Sequence, residues 1–230
     1  MNNFYNKLKK QARALSLVLF ALCAFSYASM AQISVTATAG TVGPTAYASI
    51  AAAFTAINAG THQGAITISI TASETEPVTP GFLNASGAGS ASYTSVLIRP
   101  VIDGVVVQGA PTATNKPVFW FNGADNVTID GDNPNTAGTN RNLTIKNTVA
   151  SATAGTSVIT FRSAPAPGNG SDNNTVKNCI ITGNANATYT TTTFGIFAGL
   201  AASSSATAPV AVANGLTAGP GTFKIGRAHV

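Results

Sequence analysis

DNVTIDGDNPNTAGTNRNLTIKN, residues 125–147, writes one phrase twice. NVTIDG at 126–131 returns as NLTIKN at 142–147: an Asn, an apolar–Thr–Ile core, a charged residue, then Gly or Asn. In the first copy Val127 and Ile129 alternate with Asn126, Thr128 and Asp130; in the second, Leu143 and Ile145 alternate with Asn142, Thr144 and Lys146. Period two puts the aliphatic side chains on one face of a strand and the polar ones on the other. The two strands are separated by a loop of Gly, Asn, Pro and Thr rather than by a tight two-residue turn, so they are not a hairpin. They are expected to be two sides of one turn of a coil, both facing the same core.

Outward from this stretch the same grammar continues. AITISI (65–70), SVLIRP (95–100), GVVVQG (104–109), PVFWFNG (117–123), SVITFRS (157–163) and NTVKNCIITG (174–183) are short β-branched runs bounded by Gly, Pro, Asn or Ser. Aligning PVFWFNG with SVITFRS puts Phe119 with Ile159 and Phe121 with Phe161 facing in, and Trp120 with Thr160 facing out; TFGIFAG (193–199) is a third copy. Three strands per turn follow, with Val127–Ile129 stacking on Val176 on one side and Leu143–Ile145 on Ile180–Ile181 on another. Loops stretch each turn to about forty residues, a spacing typical of stacked repeats. An immunoglobulin-like β-sandwich also uses many short strands, but it predicts hairpins with tight turns.

One helix stands out. In TAYASIAAAFTAINAG (45–60), Tyr47, Ile50, Ala51, Phe54 and Ile57 form one apolar stripe, with Thr45 as the expected N-cap and Asn58-Ala59-Gly60 as the stop. So short a helix is marginal alone and must lie on something. The open end of the strand stack is the nearest candidate.

ADNVTIDG, NLTIKN and DNNTVKNCIITGN, preceded by the TAYASIAAAFTAIN helix, resemble the right-handed parallel β-helix of the pectin-lyase-like class over roughly residues 40–200. The arrangement is also similar to large secreted surface proteins of bacteria that use type IX secretion. The resemblance implies an all-β fold, a right-handed parallel β-helix with an N-terminal capping α-helix. Residues 1–31 are then a signal peptide, 32–63 a strand and the capping helix, 64–224 an incomplete β-helix, and 225–230 a remnant. That remnant, IGRAHV, reads as translated sequencing adapter, so the protein is expected to continue beyond it.

Charge bounds the partners. Of twelve basic residues, Lys7, Lys9, Lys10 and Arg13 precede the apolar run LSLVLFALCAF (15–25), and Lys224 and Arg227 lie near the end. The six others are set against seven acids, so the body carries no field that could hold nucleic acid. The basic start, the apolar run and the small residues SYASMA make a secretory signal, with Ser29 and Ala31 placed for cleavage before Gln32. The run falls short of the roughly twenty apolar residues that span a bilayer. After cleavage Cys179 is the sole cysteine, which rules out an intrachain disulfide; it is expected to pack at a turn.

Few side chains offer chemistry. Trp120 is expected to point outward beside Arg162, a pair suited to stacking on a sugar ring. Asp130 and Asp132 could hold Ca2+ through oxygen, although Pro134 occupies the third ligand position of an EF-hand loop. Asp125 lies close to them in sequence, and a solvated, self-capping turn is the simpler reading. His62 is expected in a surface loop. The expected function is a secreted or cell-surface module, structural or adhesive, binding an extracellular polysaccharide or cell-surface glycan. Ca2+ is the one cofactor the residues suggest, and no transmembrane segment is expected after signal removal. The alternative is a polysaccharide lyase or glycoside hydrolase whose catalytic part is incomplete or missing here.

Overall fold

A strand that alternates Val or Ile with Thr or Asn has one face to bury and a row of backbone donors and acceptors to satisfy. In the computed structural model both needs are met by stacking. The structure describes residues 6, 31–111, 117–149, 156–162, 170–183, 193–199 and 224–226. The chain divides between Met30 and Ala31, and every element below belongs to Ala31–Val230. The expected signal peptide (1–31) and adapter remnant (225–230) fall almost wholly outside the described residues.

The order begins β1 (Ile33–Gly40), β2 (Thr45–Tyr47), α1 (Ile50–Asn58), β3 (His62–Ile70), β4 (Glu74–Thr75) and β5 (Phe82–Asn84). It continues with β6 (Tyr93–Pro100), β7 (Val105–Gly109), β8 (Pro117–Asn122), β9 (Val127–Asp130), β10 (Leu143–Asn147) and β11 (Thr156–Arg162). It ends with β12 (Thr175–Lys177), β13 (Cys179–Thr182), β14 (Thr193–Gly199) and β15 (Lys224–Gly226). From β3 onward the chain visits three sheets in rotation. The first sheet collects β3, β6, β9, β12 and β15, the second β4, β7, β10 and β13, and the third β5, β8, β11 and β14. These pairings are all parallel; only β1 runs antiparallel, to β2 and β3. From β3 onward, among the described residues, no two successive strands pair as a hairpin, and the fold is all-β with parallel sheets.

The two copies that open the sequence are β9 and β10, successive strands in different sheets. Register is what makes their alternation useful. Ile98, Ile129 and Val176 stack in the first sheet, Val107, Ile145 and Ile181 in the second, Phe119, Ile159 and Ile196 in the third. Ile129, Ile145 and Phe161 are at most 1% exposed, and the inward residues of all three sheets form one core. Phe121 lies flat on Phe161, ring centroids 4.8 Å apart, and Phe54 of α1 meets Phe119 and Phe121 edge-on. The helix thus covers the N-terminal end of the core.

Three details differ from the sequence expectation. Ser49, not Thr45, caps the helix: its hydroxyl accepts the Ala52 N–H at 3.1 Å. Thr45–Tyr47 instead pairs with β1, whose free edge needs backbone partners more than the helix needs an extra turn. In β13 it is Cys179 that faces in, against Leu143, while Ile180 sits opposite Thr144 and is 36% exposed. Asn178, at φ 55°, makes the bend that sets this register. Finally, His62 is no surface-loop residue. It opens β3, is fully buried, and lies against Thr41 O through Nδ1 (2.6 Å) and Tyr47 Oη through Nε2 (2.8 Å). A carbonyl only accepts, so Nδ1 carries the proton and Tyr47 donates to Nε2.

Asn126 and Asn173 take the left-handed conformation, each at φ 56°, at equivalent corners before β9 and β12. Asn tolerates that region where β-branched residues do not. Asn174 then ties successive circuits together: its Oδ1 accepts the Val127 N–H and its Nδ2 donates to Ala124 O, both at 2.8 Å.

Two outcomes follow. Phe121→Ala should lower unfolding free energy by about 3–5 kcal/mol, whereas Thr128→Ala on the outer face should stay within about 0.5 kcal/mol, both read from urea melts. At the corner, Asn126→Gly should be nearly neutral and Asn126→Val should cost about 1–3 kcal/mol in the same measurement.

Candidate functional site

The outer face of the third sheet gathers the side chains most able to meet a ligand. Register places Phe82, Trp120, Thr160 and Phe197 in one row across β5, β8, β11 and β14, and Asn84, Asn122, Arg162 and Gly199 in the next. Trp120 does alternate outward, as its position between the inward Phe119 and Phe121 requires. It is half-buried rather than bare. The Arg162 guanidinium carbon lies 4.3 Å from the indole centroid, and the Phe82 ring meets the indole at 64° with centroids 5.8 Å apart. Arg162 over Trp120 is a cation–π contact, a geometry that typically contributes about 0.5–2 kcal/mol.

A polar ladder runs beside the aromatic row. Asn122 Nδ2 donates to Asn84 Oδ1, and Arg162 Nε donates to Asn122 Oδ1, each at 2.9 Å. Both amide oxygens therefore already accept a bond, which leaves the ladder rich in N–H donors. Burial lowers the Arg162 pKa, but a guanidinium remains charged at any physiological pH. Elsewhere on this face Val118, Val158 and Thr160 are buried, which leaves, among the described residues, Phe82 and the half-buried Trp120, Asn84, Asn122 and Arg162 as the accessible outer side chains of β5, β8 and β11. Phe82, at 43% exposure, is its most open ring.

Phe82 and Asn84 were missed in the sequence. Their signal was present: the aromatic–apolar–Asn triplet Phe82-Leu83-Asn84 repeats as Trp120-Phe121-Asn122. Strand β5 is only three residues long, too short to stand out by alternation.

The acids are placed differently from what a catalytic or metal cluster needs. Asp130 Oδ2 pairs with Lys177 Nζ at 2.9 Å, while Oδ1 accepts from Asn178 Nδ2 and the Asp132 N–H. Asp132 Oδ1 accepts the Asn140 N–H at 2.7 Å, holding the loop between β9 and β10. Burial alone would raise the Asp130 pKa, but these donors and the lysine together hold it below the usual carboxylate value. Among the described residues no three His, Cys, Asp or Glu side chains gather as a metal site. Asp125 precedes the left-handed corner at Asn126 whereas Asp130 closes β9, and each carboxylate is engaged by different neighbours. Asp125 instead accepts the Asp172 N–H at 2.6 Å one circuit on, and desolvation, with the Asp172 charge, raises its pKa.

Cys179 is inert by its surroundings. Desolvation pushes its thiol up to about 12, and the Asp130 charge adds to the effect. Two further acids, Glu74 and Glu76, are buried beneath α1, a pairing the sequence did not suggest. Among the described residues no helix is long and apolar enough to cross a membrane. Compared with known proteins, the chain matches no family model, no curated protein and no solved structure.

Asp130 has a definite pH signature. A carboxylate whose folded pKa is depressed stabilises above its unfolded value, here 3.8, and loses that contribution as pH falls through the folded value. Asp130→Asn should therefore be less stable than the parent at pH 7, with the difference shrinking to nothing well below pH 3.8, as followed by thermal melts across the pH range.

Proposed function

We propose that this chain is a module of a secreted or cell-surface protein, built as a right-handed parallel β-helix. It serves a structural or adhesive role and holds an extracellular glycan on the outer face of the third sheet. The observation that carries the reading is the in-register pairing of Phe82–Trp120 with Asn84–Asn122–Arg162 across three neighbouring strands. Aromatic rims beside a row of N–H donors suit a ligand rich in ring C–H surface and hydroxyl oxygen. The coil is supported by the rotation among three parallel sheets. Its hand follows from a general rule: a crossover joining parallel strands of one sheet is right-handed in about 98% of cases. Such a fold presents the same outer rows circuit after circuit, which favours long, repetitive ligands over small ones.

Trp120 is the only tryptophan in the chain, so its fluorescence reports this face alone. Titration with a panel of neutral and acidic polysaccharides should shift or quench its emission for at least one. Arg162→Ala and Phe82→Ala should weaken that binding about tenfold, the loss of roughly 1.4 kcal/mol. Emission unmoved across the panel would overturn the glycan reading and leave the structural one. Release of new reducing or unsaturated ends from a bound polysaccharide, abolished in Asp125→Asn, would replace it with the enzymatic alternative.

A further inference from the structure

The N-terminal cap contains a polar contact that the binding face does not use. Glu74 in β4 and Glu76 just after it are each 4% exposed, directly beneath the first turn of α1. Glu76 Oε1 accepts the Ile50 N–H at 2.8 Å and Oε2 accepts the Ala51 N–H at 3.1 Å; Glu74 Oε1 accepts the same Ile50 N–H at 3.3 Å. The fourth oxygen, Glu74 Oε2, is buried with no donor to accept from.

Among the described residues no cation balances the pair. Helix α1 carries no acid in its first turn and no base in its last. The strand packed beside β4 is β7, which sets Val107 and Gln108 opposite Glu74 and Thr75, and Gln108 O takes the Glu76 N–H at 2.7 Å. On the other side Gly81 closes on Ala51, so near that a Cβ there would stand 2.6 Å from the Ala51 Cα. Among the described residues no Lys, Arg or His acts on either carboxyl. Two carboxylates sharing one N–H in such a place cannot both be charged. A proton on Glu74 Oε2 resolves both problems, because it turns the orphan acceptor into a donor to Glu76 and removes one charge.

We propose that Glu74 and Glu76 share one proton and form an acid-set clasp that seats α1 on the end of the stack and loosens in alkaline medium. The Glu76 carboxylate, facing the positive end of the helix, keeps the charge. Desolvation and the neighbouring Glu76 raise Glu74 to about 9, in keeping with the assignment. The sign follows. The unfolded chain loses this proton near 4.5 and the folded chain keeps it to about 9. The stabilisation is therefore full below 4.5, declines as pH rises, and is gone once pH passes the folded value. Loosening would uncover the Phe54 contact with Phe119 and Phe121 while the sheets beyond stay paired.

Hydrogen–deuterium exchange of the full chain, corrected for intrinsic rates, tests this at pH 5 and pH 9.5. Peptides covering α1 should lose at least tenfold in protection at the higher pH, and peptides covering β8 and β11 should not. Glu74→Gln keeps a donor to Glu76 but cannot ionise, so its α1 protection should be equal at both pH values. Gly81→Ala should weaken α1 at both, marking displacement that owes nothing to the proton. Equal protection of wild-type α1 at the two pH values, or the same loss in Glu74→Gln, would overturn the clasp. Should Glu74→Gln fail to fold, the infrared spectrum of the wild type decides. A protonated-carboxyl band at pH 7 that disappears by pH 10 supports the shared proton, and its absence at pH 7 refutes it.

Discussion

The structure depends on stacking inward side chains in register along one axis. A short strand such as Val127–Asp130 cannot satisfy its own backbone or bury its own aliphatics. It acquires both from the strands on either side of it, Val96–Ile98 one way and Thr175–Lys177 the other. Parallel, in-register pairing makes the two gains inseparable, because a slip of one residue would turn Ile129 outward and Thr128 inward. Cys179 is free and buried, so among the described residues no disulfide contributes to this. Burial of each inward Val, Ile or Phe contributes about 1.5–3 kcal/mol, and interlocking corner hydrogen bonds such as those of Asn174 keep successive circuits aligned.

The outer face follows from the same register. Once circuits are aligned, any outward residue type that recurs becomes a column. Asn84, Asn122 and Arg162 form one, with Arg162 donating to Asn122 and Asn122 donating to Asn84. Asp125 with Asp172, and Asp130 with Lys177, form others. These columns tie neighbouring strands and corners to one another. The aromatic column of Phe82 and Trp120 differs in presenting ring surface outward.

The end of a stack poses the opposite problem, since its last strands lack neighbours. Here β1 and β2 extend the first sheet antiparallel, and α1 lies over the core with Phe54 against Phe119 and Phe121. A helix laid across strand ends points its first N–H groups into the protein, where water cannot reach them. Glu74 and Glu76 answer that need from another element. The cost is two buried acids, and the shared proton is the physical consequence.

Alternation of aliphatic and small polar residues marked the inward and outward faces of most strands, and the long loops with copies at a long spacing pointed to parallel strands and to the pairing of Phe119 with Ile159, Trp120 with Thr160 and Phe121 with Phe161. Those features are local, or repeat at a fixed interval, and so they leave a trace in sequence. What tertiary structure alone decided involves residues far apart or strands too short to show a period. Thr45–Tyr47 joined β1 instead of the helix because an edge strand offered backbone bonds. His62 was drawn inside by Tyr47 and Thr41. Cys179 displaced Ile180 from the core because a left-handed Asn178 shifted the phase by one. Glu74 and Glu76 became a pair only when β4 passed beneath a helix more than twenty residues earlier, an encounter that no spacing along the chain encodes.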